Sequence, residues 1–137
     1  MPAFLNAYLS FRGNAREAME FYRSIFGGEL SVATFGEFGA AEDPAQSDLV
    51  MHSQLTAPNG FKLQGADTPQ RVPYAPAGNI TLSLSGDDEA ALQGYWDKLS
   101  AGAEITQPLV KAQWGDMFGM LTDRFGIGWM VNIGAPQ

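Results

Sequence analysis

One stretch of this chain occurs twice, and that recurrence restricts the fold more than any other feature. Leu9–Glu29, LSFRGNAREAMEFYRSIFGGE, reads as the end of a strand, a tight turn, an amphipathic helix and a Gly-Gly stop. A weaker copy follows at Leu82–Glu104, LSLSGDDEAALQGYWDKLSAGAE. Asn6 and Asn79 lie 73 residues apart, as do Leu9 and Leu82, Ser10 and Ser83, Gly13 and Gly86, and Phe26 and Leu99. A repeat that includes turn and helix end as well as strand predicts two copies of one supersecondary unit.

The remaining elements fall around these two anchors. Ala3–Phe11 alternates, with Leu5, Ala7, Leu9 and Phe11 on one face and Asn6, Tyr8 and Ser10 on the other, which predicts a half-buried strand. Asn14 is the expected cap of a helix whose core stripe is Ala18, Met19, Tyr22, Ile25 and Phe26, ended by Gly27-Gly28. Strands are expected at Glu29–Gly36, Asp48–Thr56 and Phe61–Gln64, the last two joined by a Pro58-Asn59-Gly60 turn, with a loop at Glu37–Ser47. On the alternation of Asp48–Thr56, His52 shares a face with Val50 and Gln54. Thr68–Gly78 carries three prolines and no periodicity, and reads as a linker.

Beyond it the order repeats: strand Asn79–Ser85, a helix opening at Gly86-Asp87-Asp88 with the stripe Leu92, Tyr95, Trp96 and Leu99, then strands at Ala103–Thr106, Met117–Thr122 and Ile127–Ile133. Asp87, Asp88 and Glu89 sit where a helix dipole stabilises negative charge, so capping is their expected role. The expected fold class is α+β, with two βαβββ modules, 1–67 and 79–137, joined by a linker at 68–78 within one domain spanning 1–137. Pseudo-twofold symmetry would place the helices on the outer face of curved mixed sheets and leave a concave inner face for a ligand.

Composition removes several functional classes. A net charge of −7 with only eight lysines and arginines and no basic run argues against nucleic acid. The absence of cysteine excludes disulfides, thiolate metal sites and cysteine nucleophiles, and suits a reducing compartment. Neither a signal-peptide pattern nor a membrane span is evident, so a cytoplasmic protein without a membrane partner is expected.

The motif set Tyr8-Leu9-Ser10-Phe11, Gly13-Asn14-Ala15, Glu17-Ala18, Phe21-Tyr22 and Phe26-Gly27-Gly28-Glu29 resembles the vicinal oxygen chelate superfamily, the glyoxalase, bleomycin-resistance and dioxygenase proteins, and most closely its PhnB-like branch. Trp114-Gly115, Phe118-Gly119, Asp123, Phe125-Gly126 and Trp129 extend that resemblance to the C-terminal part. It implies a homodimer and a site built from inner-face residues of the first and last strands of each unit. The family's metal positions carry over onto Asn6, Gln64, Asn79 and Met130. Three amides and a thioether are neutral, weak donors, whereas divalent metals want imidazoles and carboxylates. No cofactor is therefore expected, and a divalent metal is disfavoured.

His52, the only histidine, is the candidate acid or base, its reference pKa of ~6.5 suiting proton transfer near neutrality; a hydrogen-bonded strand histidine is the competing reading. Trp114 precedes a glycine in a polar segment and is the candidate to project toward the cavity mouth and stack on a flat ligand, with core packing as the competing and favoured reading. The leading expectation is metal-independent binding of a small, mostly apolar or planar molecule. Asn6, His52, Gln54, Gln64, Asn79, Thr81 and Asn132 would provide polar contacts, and Trp114 and Met130 an apolar wall. Two alternatives stand beside it: a glyoxalase- or lyase-like enzyme using a divalent metal or His52, and a structural or regulatory dimer without a ligand.

Overall fold

Alternating side chains put Leu9 and Phe11 inside and Tyr8 and Ser10 outside, and in the computed structural model strand β1 runs over Ala7–Phe11. The structure describes residues 3, 5–39, 41, 43–69, 72, 74 and 79–134. Two units divide the chain, Met1–Pro76 and Ala77–Gln137. In the first, helix α1 (Ala15–Phe26) is followed by β2 (Glu29–Thr34), a 3₁₀ turn at Pro44–Gln46, β3 (Val50–Thr56) and β4 (Lys62–Asp67). In the second, β5 (Leu82–Gly86) leads to helix α2 (Glu89–Leu99) and then β6 (Glu104–Lys111), β7 (Met117–Thr122) and β8 (Gly128–Ile133).

Each unit forms one four-stranded mixed sheet. The orders are β1-β4-β3-β2 and β5-β8-β7-β6, with the first and last strands of each unit parallel and the other pairs antiparallel. One helix covers one face of each sheet. In the first unit Met19, Tyr22, Ile25 and Phe26 of α1 are buried with Leu9, Phe11, Leu55 and Leu63 of the sheet. In the second, Leu92, Trp96 and Leu99 of α2 are buried with Leu84, Leu121, Trp129 and Val131. The removal of these side chains from water is the main stabilising term, at about 1.5–3 kcal/mol for each large one.

A glycine lies beneath each helix. A Cβ at Gly65 would come 3.0 Å from the Met19 sulfur, and one at Gly119 would come 2.7 Å from the Trp96 ring. These glycines occupy the helix-facing cross-strand pairs Ser53–Gly65 and Gly119–Val131, on opposite strands of the pair.

Several expectations are corrected. The alternating runs begin earlier than the strands: Leu5, expected in the core, is 99% exposed, and Ile80 is 80% exposed. Asn14 stands at the head of α1, yet its side chain makes no capping bond. The cap comes instead from Asp67 at the end of β4, whose Oδ1 accepts from the backbone N–H groups of Gly13 (2.7 Å) and Ala15 (3.0 Å). Its Oδ2 accepts from Val50 N–H (2.9 Å), and the residue is 4% exposed. Val50 does not share the face of His52. Ala33 pairs with His52 and Thr34 with Val50, so Met51 is the extra residue of a bulge, and Val50 turns into the core. Strand β6 continues through Pro108, because an edge strand whose register shifts between Gln107 and Val110 tolerates the missing N–H there.

The repeat register also shifts. Helices α1 and α2 end 73 residues apart, at Phe26 and Leu99. The matching hairpins are 66 apart, since Gln54 pairs with Gln64 and Met120 with Met130. In the ladders Ala7 lies opposite Leu63 and Leu82 opposite Trp129, so the first strands are 75 residues apart. A slip of two residues preserves which side chains face the helix, because strand side chains alternate with period two. Asn6 thus corresponds in the ladder to Thr81 rather than to Asn79.

The capping expected at the second helix is present: Asp88 Oδ1 accepts from Ala91 N–H at 3.1 Å. Gly27, with φ 75°, forms the expected C-cap of α1, and its N–H donates to Arg23 O. Of the linker at 68–78, residues 70, 71, 73 and 75–78 lie outside the described residues, as does Glu42 of the expected loop. The rest is tied to β1. The Arg12 guanidinium donates to the carbonyls of Pro69 and Val72 and lies 5.2 Å from the Tyr74 ring centroid.

Candidate functional site

Each sheet has a second face that its own helix does not cover, and the candidate residues gather there. In the first unit Tyr8, Gln64, Gln54 and Ser31 form one row across the four strands, each paired with the next. His52 belongs to the same face, beside Ala33. Its Nε2 is 3.4 Å from Gln64 Oε1, Gln64 Nε2 donates to Gln54 Oε1 (3.3 Å), and Gln54 Nε2 donates to Thr56 Oγ1 (3.3 Å).

In the tautomer that carries the proton on Nε2, His52 donates to Gln64 Oε1, each later bond points toward Thr56, and Nδ1 is left as an acceptor. The Tyr8 ring stands 6.2 Å from the imidazole, centroid to centroid, and is 53% exposed. The polar partner of His52 is an amide, not a carboxylate, so this row of side chains orients hydrogen bonds.

The second unit builds a different surface from the same frame. Phe118 pairs with Asn132 and Met120 with Met130, all on the face away from α2, with Ser83 and Ser85 alongside on β5. Ser83 and Ser85 are joined through their hydroxyls at 2.9 Å. The β6–β7 turn closes by Gly115 N–H donating to Ala112 O at 3.0 Å, and Gly115 takes the φ of 101° that such a turn asks of a glycine. Trp114, at the tip, folds back onto this face. Its ring meets Phe118 edge-on at 5.3 Å, and its Nε1 donates to Asn132 Oδ1 at 3.4 Å. Asn132 Nδ2 in turn donates to Asp116 Oδ2 at 2.9 Å.

The structure thus brings His52, Gln54 and Gln64 together in the first unit, and Trp114, Asn132 and Met130 onto one face of the second. Asn6, Asn79 and Thr81 lie just before the first strand of their units and join neither hydrogen-bonded cluster. Tyr8 and Asp116 were missed as site residues. Alternation with Leu9 was a usable signal for Tyr8; nothing local marked Asp116, whose partner is 16 residues away. The inherited metal positions do not fit a divalent ion. Gln64 is engaged with His52 and Gln54, Met130 offers a thioether, and the other two are amides. Among the described residues no three of His, Cys, Asp and Glu gather at one place, and no helix is long and apolar enough to cross a membrane.

The two-unit arrangement recurs in known proteins. The family model for 3-demethylubiquinone-9 3-methyltransferase matches residues 4–132. Protein PA1353 from Pseudomonas aeruginosa is 34% identical, with a TM-score of 0.83 covering 98% of this chain and 100% of that one. A PhnB protein from Bacillus cereus is 26% identical, with a TM-score of 0.74 over 96% of this chain and 100% of its own. A glyoxylase/bleomycin resistance protein/dioxygenase domain from Frankia sp. EAN1pec shares the fold at 17% identity, with a TM-score of 0.63 over 98% and 93%. This chain belongs to the 3-demethylubiquinone-9 3-methyltransferase family, in the PhnB-like branch of the vicinal oxygen chelate fold.

Proposed function

We propose that this glyoxalase/bleomycin-resistance-like protein binds a small, mostly apolar or planar molecule on its uncovered sheet faces without a metal ion. The observation that carries the reading is Trp114, 63% exposed yet held by Phe118 and Asn132 rather than left loose. A solvent-facing indole held against Phe118, on the face that also carries Met120 and Met130, supplies stacking area at little entropic cost. In the first unit the directional His52–Gln64–Gln54 chain supports the polar part of recognition, with Nδ1 of His52 ready to accept from a ligand N–H or O–H. The weak donors at the family's metal positions support metal independence. The soluble homodimer typical of the fold is part of the same proposal.

Thermal shift and calorimetry test it. Neutral planar probes such as quinoline and 2-naphthol should raise Tm and bind the wild type, and Trp114→Ala should lose that binding. Mn²⁺, Zn²⁺, Ni²⁺ and Fe²⁺ should leave Tm unchanged. Stoichiometric metal retained through purification and lost in His52→Ala would replace this reading with the metal-enzyme one. No response to either class would leave a structural dimer, which light scattering on the purified protein would register.

A further inference from the structure

Resting on the planar-ligand reading, we infer that the second unit selects a planar cation, with Asp116 both supplying the charge and positioning the Trp114 platform. An ionised carboxylate only accepts hydrogen bonds, and an indole N–H only donates. Asn132 lies between them, so its amide has one orientation that satisfies both, with Nδ2 on Asp116 and Oδ1 on Trp114. Asp116 therefore determines which way Asn132 faces, and Asn132 holds the indole against Phe118.

Asp116 is half-buried and has no cationic partner among the described residues. Gly134 lies beside it, where an added Cβ would be 3.7 Å from both carboxylate oxygens. A carboxylate with no counter-ion among the described residues, joined through Asn132 to an exposed indole, favours a ligand that combines a flat ring with positive charge. The ring stacks on Trp114, cation–π attraction adds to stacking, and the carboxylate supplies the opposite charge. A flat anion meets the same carboxylate as a repulsion.

The test compares N-methylquinolinium with quinoline above pH 7, where quinoline is uncharged, by isothermal titration of the whole chain. The wild type should bind the cation tighter by about tenfold, the scale expected of a partly desolvated cation–π and carboxylate pair. Asp116→Asn should abolish that preference while quinoline still binds, and Asp116→Glu, which keeps the charge, should retain it. Asn132→Leu should weaken both ligands and change the near-ultraviolet circular dichroism of the tryptophans, a signature of the released indole. Asp97→Asn, on the exposed side of α2, should leave the preference intact despite the same loss of net charge. Equal binding of both ligands by the wild type would overturn this inference and leave the planar-ligand reading standing, as would an unchanged preference in Asp116→Asn or an equal loss in Asp97→Asn. Binding of neither ligand would overturn both.

Discussion

The two units share a frame and differ in almost everything the frame does not require. Helix α1 is capped across the sheet by Asp67, at the end of β4. The ladder counterpart of Asp67 is Ile133, an apolar core residue, so α2 has no carboxylate to borrow and is capped by its own Asp88. The space beneath the helix comes from Gly65 on one strand in the first unit and from Gly119 on the neighbouring strand in the second. Where a helix must sit on a sheet, the physics asks for small residues and a satisfied N-terminus, and it is indifferent to which residue provides them. The uncovered faces diverge further, with amides and an imidazole in one unit and methionine, phenylalanine and tryptophan in the other. The face that its helix does not cover is free of that helix's packing requirement.

The comparison can be broken most severely at Asp67. Asp67→Ala strands three backbone donors, two of them buried, and should lower stability by about 3–5 kcal/mol, read from the midpoint of urea unfolding. Gly119→Ala drives a methyl into Trp96 and the Leu109 backbone. Overpacking of that kind should cost about 1–3 kcal/mol and perturb the tryptophan fluorescence spectrum. Asp88→Ala removes a single exposed cap and should cost about 1 kcal/mol in the same unfolding assay. Asn14→Ala sharpens the contrast by doing almost nothing. Its side chain caps no backbone group, so the change should stay within about 0.5 kcal/mol, and a loss as large as that of Asp88→Ala would show the two helix starts to be alike after all.

The second unit also shows how a turn is held from inside. Asp123 Oδ1 accepts from the N–H groups of Phe125 (2.8 Å) and Ile127 (3.0 Å), and Oδ2 accepts from Trp129 Nε1 at 2.9 Å. In the first unit the matching hairpin is turned by Pro58-Asn59-Gly60, with Asn59 Oδ1 accepting from Phe61 N–H. Both buried aspartates are consumed by structure, which is why neither is offered for chemistry.

Local pattern was enough for the element order, the helix-facing residues and the two-unit repeat, because period-two and period-3.6 alternation is imposed by backbone geometry within a few residues. It also placed His52 and Gln54 on a common face, since parity along one strand decides that without knowledge of partners; Gln64 joins them only through the β3–β4 register. It could not place Val50, whose face depends on a bulge formed against β2, nor the two-residue slip of the first strands, nor the end of exposed runs such as Leu5 and Ile80. Asp67 over the start of α1, and Asp116 behind Asn132 and Trp114, emerged only once the chain had folded. Hydrogen bonds between groups 16 to 54 residues apart are selected by which strands pair and in what register, and alternation along one strand carries no information about its neighbour.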